Sequence, residues 1–127
     1  MSTEEIAKHW LQSAEEDQKA AESLFESEHF HWSLFLWHLT IEKTLKAILT
    51  TQNQEIPFTH NLLQLARLSA LELTKDHEQE LKEITSFNLE ARYDDYKLSF
   101  YKKSTKEYAE KWVRICGGWI ERLKHHL

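Results

Sequence analysis

Apolar residues return at every third or fourth position along most of this chain, and the breaks in that rhythm divide it into helices. Ser2 with Glu5 forms a capping box, and Ile6, Trp10, Ala14, Ala21, Leu24 and Phe25 recur at helical spacing to about Ser27, with a charged opposite face. A second helix is predicted from His31 to Thr51. Laid at about 100° per residue, its Trp32, Leu34, Phe35, Leu36, Trp37, Leu39, Ile41, Leu45, Ile48 and Leu49 cover most of the circumference. A helix apolar almost all round is either central to a bundle or shared with a second subunit. Residues 52–58 hold the only proline and form a loop; Thr59 to Ser69 is a short helix with Leu62, Leu63, Leu65 and Ala66 apolar.

Thr74 or Asp76 can cap a fourth helix carrying Leu81, Ile84 and Phe87 and ending near Ala91. The connection Arg92–Lys103 contains Tyr93, Tyr96, Leu98, Phe100 and Tyr101, too much apolar surface to leave solvated, so it is expected to pack across the bundle. Ser104 with Glu107 reads as a second capping box. The last helix follows, with Tyr108, Trp112, Ile115, Cys116, Trp119, Ile120 and Leu123 on one face.

Composition narrows the class. In 127 residues there are two glycines and one proline, which excludes collagen-like, linker-rich and many-turned β folds. The expectation is a single all-α domain over residues 1–127, an up-and-down antiparallel bundle of about five helices. One cysteine, Cys116, allows no internal disulfide and no thiolate-rich zinc site. The first thirty residues hold eight acids and two bases, the reverse of a secretory or transit peptide, and no run of eighteen apolar residues exists, so a cytoplasmic protein without membrane contact is expected. Net charge is −5, but it divides unevenly into −6 over residues 1–30, −3 over 31–90 and +4 over 91–127, which directs attention to the basic end.

Two groups of residues could carry chemistry. Asp17 intrudes on the apolar stripe of the first helix and needs a partner, with His38, Lys46 and Arg92 as candidates. On the second helix His38, Glu42 and Lys46 point toward or beside the core. Together with Asp17 and His60 they form either a buried network fixing helix register or a polar cleft between the first two helices. His38 and Glu42 are also spaced for a bundle metal site completed by His29, His31 or His60, but the paired Glu-x-x-His motifs of di-iron bundles are missing, and no metal or other cofactor is expected.

The second group lies at the start of the last helix. Lys102, Lys103 and Lys106 surround Ser104 where a helix dipole disfavours cations, so they serve something other than helix stability. Backbone N–H groups there plus the lysines make a phosphate-binding constellation, with Arg92 and Tyr93 flanking the same cleft and nearby tyrosines able to stack on bases. The alternative is a solvated basic face. The excess of apolar arc, with Trp37 as an exposed aromatic, predicts a homodimer.

Four segments then converge on one family. Phe35 to Leu49, FLWHLTIEKTLKAIL, resembles the second-helix signature E-K-x-L-K-A-L of HEPN domains, named for nucleotide binding in higher eukaryotes and prokaryotes. Trp10, Ala14 and Asp17 are similar to that family's W-x-x-x-A-x-x-D, Thr59 and His60 with Leu62 and Leu63 to its T-H-x-L-x-x-L, and Glu90, Ala91, Arg92, Tyr93 and Tyr96 to its E-A-R-Y-P-x-Y. The resemblance implies a bundle of about five helices, commonly dimeric, that binds nucleotide or RNA. It also implies a minimal nucleotidyltransferase as partner in a toxin and antitoxin pair. Active members of the family are metal-independent ribonucleases using R-x(4–6)-H. Here none of Arg67, Arg92, Arg114 or Arg122 has a histidine five to seven residues later, and Asp94 replaces the proline. The resulting expectation is a non-catalytic binding and interaction module. The competing expectation is a ribonuclease in which the fold brings Arg92 to His60 or His38.

Overall fold

The computed structural model describes residues 1–127 and consists of six helices: α1 Thr3–Glu26, α2 Phe30–Thr51, α3 Leu62–Leu68, α4 Lys75–Arg92, α5 Ser99–Lys103 and α6 Lys106–Lys124. The expected all-α bundle is present, with one short helix, α5, inserted in the connection after α4. No helix is long and apolar enough to cross a membrane.

The apolar circumference of α2 places it at the centre, where it touches each of the other five helices. Fourteen of its twenty-two residues are buried. Trp37 is among them at 3% exposure, so it is a core residue and not the exposed aromatic expected from the sequence. The other helices of the same chain cover most of that apolar arc, leaving Trp32 exposed and Phe35, Leu36 and Leu39 partly so. On α1 the buried residues are Ala7, Ala14 and Ala21, seven apart, which lets the two backbones approach closely; Ser33 Oγ donates to the Ala21 carbonyl at 2.7 Å. One core of 22 buried residues runs through the bundle, with Phe87 of α4 against Phe100, Tyr108 and Trp112.

The helix starts follow local chemistry. Ser2, Asn61 and Thr74 accept backbone N–H bonds as N-caps of α1, α3 and α4, and α3 begins at Leu62 instead of Thr59 because Asn61 is the capping side chain. Thr105, and not Ser104, caps α6: its Oγ1 accepts the Tyr108 N–H at 3.2 Å, while Ser104 is buried at the end of α5 and donates to the Phe100 carbonyl. The segment Arg92–Lys103 packs less than its aromatic content suggests. Phe100 alone is buried; Tyr93, Tyr96, Leu98 and Tyr101 stay exposed, Tyr96 at 90%. The two aspartates between them take up backbone donors, fixing the loop without burying its rings.

Candidate functional site

Three polar residues spaced one turn apart on α2, His38, Glu42 and Lys46, are all buried, and each is satisfied. Lys46 Nζ donates to Glu42 Oε2 at 2.9 Å, and His60 Nδ1 donates to Glu42 Oε1 at 2.8 Å. Burial pushes the Glu42 carboxyl up, but the hydrogen bonds from Lys46 and His60 outweigh it and hold the group below the usual carboxylate range. His38 Nε2 donates to the His60 carbonyl at 2.9 Å, and Asn88 Nδ2 of α4 donates to His38 Nδ1 at 3.3 Å. That arrangement requires a neutral ring with its proton on Nε2. Burial lowers the His38 pKa and agrees with it.

Of the polar residues singled out in the sequence, His38, Glu42, Lys46 and His60 therefore form one network, whereas Asp17 does not join it. Its partner is Lys43, with Nζ 2.6 Å from Oδ2, and Lys43 also donates to Ser13 Oγ at 2.8 Å. None of His38, Lys46 or Arg92 reaches Asp17: Lys43 comes level with Asp17 where α2 runs beside α1, while Lys46, about a turn further on, pairs with Glu42 and lies over the Trp10 ring of α1.

The network ends at Arg92. Its Nε donates to the Asn88 carbonyl at 3.2 Å and its Nη2 to Asn88 Oδ1 at 2.5 Å, and the guanidinium lies over the rings of Phe35 and Tyr93. Arg92 lines a cleft of about 460 Å³ together with His31, Trp32, Ala91, Asp94, Leu98 and Tyr101. His31 packs edge-on against Tyr101 at 5.2 Å and beside Trp32 at 5.0 Å. Burial lowers its pKa, with Asp94 opposing. Trp32 and Tyr101 remain 40% and 57% exposed at the mouth. Sequence reasoning missed Trp32 and Asn88 as site residues and weighed His31 only as a ligand completing a bundle metal site. The available signal was topological: in an up-and-down bundle the first turn of α2 and the last turn of α4 lie at the same end.

The lysines expected to hold phosphate are divided by the structure. Lys103 pairs with Glu83 at 3.0 Å and stands over the Tyr108 ring, and the Tyr108 hydroxyl donates to the same carboxylate. Lys102 and Lys106 are exposed, and Ser104 is buried with its hydroxyl committed to the chain. Tyr93 and Lys103 share a groove with Glu90, Asp94 and Asp95, three carboxylates that disfavour an anion. Arg92 stays in contact with the Tyr93 ring but lines the neighbouring cleft with His31. The six residues do not share one cleft.

A family model described as HEPN domain matches residues 7–126. The chain belongs to the HEPN domain family. The fold of this HEPN chain is similar to that of TT1696 from Thermus thermophilus, known from its crystal structure, with a TM-score of 0.80 at 19% identity over 95% of this chain and 98% of that one. No curated protein matches it. Three of the four motifs of the HEPN resemblance sit around the site: the second-helix signature carries His38, Glu42 and Lys46, the Thr59-His60 segment supplies the carbonyl and imidazole that close the network, and Arg92 belongs to the last motif.

Proposed function

We propose that this HEPN chain is a nucleotide- and RNA-binding module whose ligand occupies the cleft between the first turn of α2 and the loop after α4. The observation that carries this reading is Arg92, an accessible cation lining a cleft with the exposed aromatics Trp32 and Tyr101, where Asp94 is the one carboxylate against the three of the neighbouring groove. A guanidinium takes a phosphate through paired N–H donors, and the aromatic faces accept bases by stacking. Lys102, exposed on the same short helix as Tyr101, adds long-range attraction to the backbone. The proposal includes a minimal nucleotidyltransferase as partner and a homodimer as assembly. Both rest on the family resemblance and are tested by co-purification and by sedimentation at micromolar concentration.

The test is fluorescence anisotropy with a labelled ten-nucleotide uridine RNA at low salt. Arg92→Ala is expected to weaken binding about tenfold or more, and Lys102→Glu to weaken it less while flattening the salt dependence. Equal binding by wild type and Arg92→Ala would sink the assignment of the cleft.

A second reading, a metal-independent ribonuclease, is favoured by His31 and Arg92 lining one cleft although they lie sixty-one positions apart in sequence. A neutral His31 could take the proton from a ribose 2′-hydroxyl while Arg92 neutralises the charge building on the phosphate. Cleavage of the same RNA in chelator, lost in both His31→Ala and Arg92→Ala, supports that reading. RNA bound and left intact supports the binding module.

A further inference from the structure

The geometry points to Asn88 and His38 as positioning residues that set the direction of the Arg92 guanidinium from inside the bundle, an inference that rests on the cleft reading above. Each hydrogen bond in this chain dictates the next. The His60 carbonyl can only accept, so His38 must carry its proton on Nε2 and present a bare Nδ1 to α4. Nδ1 can only accept, so Asn88 must turn its NH₂ inward, which leaves Oδ1 facing outward. Oδ1 and the carbonyl of the same residue then receive Nη2 and Nε of Arg92.

The consequence is an arginine held by two acceptors from one residue while its remaining N–H groups are free to meet a ligand. An arginine on an exposed last helical turn would otherwise lose its rotamer freedom at the moment of binding; here the loss is met on folding, which is what preorganisation means. The relay is buried where it is set and open where it acts. His38 is fully buried and Asn88 nearly so, while Arg92 is accessible in the cleft. Glu42, at 3.9 Å from His38 Nε2, is beyond hydrogen-bond reach and does not compete for the His38 proton.

The experiment has two arms. In the first, binding of the labelled ten-nucleotide uridine RNA is measured for Asn88→Ala, Arg92→Ala and the double variant. Asn88→Ala is expected to weaken binding about fivefold, and the double variant to bind no more weakly than Arg92→Ala. Losses that simply add would overturn the inference. His38→Gln, which keeps a donor for the carbonyl and an acceptor for Asn88, is expected to bind like wild type, whereas His38→Leu should match Asn88→Ala; indistinguishable His38 variants also count against it. In the second arm the Arg92 Nη–H signals, one of which is donated to Asn88 Oδ1, are followed by nuclear magnetic resonance in the absence of RNA. They should exchange slowly with water in wild type and in His38→Gln, and quickly in Asn88→Ala and His38→Leu. Fast exchange in wild type overturns the relay even if the variants do not fold. A protected Nη–H with RNA binding indifferent to Arg92 would keep the relay and refute the cleft.

Discussion

His38 is neutral because ionising it would strand a charge in the core, and this makes the fold acid-sensitive in a defined window. Its folded-state pKa lies below the ordinary histidine value, so between the two values the unfolded chain binds the proton and the native state does not. Stability from this group is complete above about pH 6.5 and declines as pH falls toward the folded pKa. Glu42, also held low, begins to withdraw its share only below its own unfolded value of 4.5. Thermal melts between pH 7.5 and 5.5 are therefore expected to show a falling Tm in wild type and a shallower fall in His38→Gln. The decline is not abolished, because His31 is shifted in the same direction. At Asp17 the expected result is different. Its ion pair with Lys43 is about four fifths removed from solvent on both sides, and Lys43→Met is expected to cost roughly 1–3 kcal/mol by leaving a carboxylate without its donor. Adding Asp17→Leu should recover much of that loss in a denaturant titration.

At the scale of elements, the scarcity of glycine leaves a record at the helix ends. Glu28, Asn53 and Ala70 have positive φ of 65°, 58° and 60°, and the residue after each returns its N–H to the last turn, His29 to Leu24, Gln54 to Leu49 and Leu71 to Ala66. These are the six-to-one bonds of a Schellman ending, built on residues for which the left-handed conformation is unfavourable. Glu28→Gly and Ala70→Gly are expected to raise stability by about 0.5–1 kcal/mol each, read as a shift in the denaturant midpoint. The two glycines present lie elsewhere, in the middle of α6, where an added Cβ at either position meets nothing within 4 Å. Gly117→Ala and Gly118→Ala should each stabilise α6 by up to about 1 kcal/mol. The fourth positive φ, 55° at Leu98, lies on the rim of the Arg92 cleft, where it turns the chain into α5 and sets Tyr101 beside His31.

For the whole molecule, the burial of α2 by its five neighbours makes Trp37→Glu a test of architecture. The substitution is expected to cost more than about 3 kcal/mol and to abolish folding, with loss of the helical circular-dichroism signal instead of a clean dissociation of subunits. Much of this architecture was legible in the chain. A period near 3.6, caps at Ser2 and Thr74, and almost no helix breakers determined an all-helical bundle, because these are properties of neighbours within one turn and need no tertiary partner. The polar set His38, Glu42 and Lys46 was also readable, since a one-turn spacing puts them on one face of α2. What the sequence left open depended on distances through space. Ser104 and Thr105 are adjacent and equally able to cap α6; the packing of Phe100 under α4 decided between them. Lys43, and not Lys46, meets Asp17, because the pairing of α1 with α2 brings Lys46 level with Trp10, about two turns from Asp17, which no local propensity encodes. Asn88 had no local signature at all, and His31 only that of one scattered histidine among eight. Only the return of α4 to the end of the bundle where α2 begins brings an imidazole and an amide to either side of Arg92.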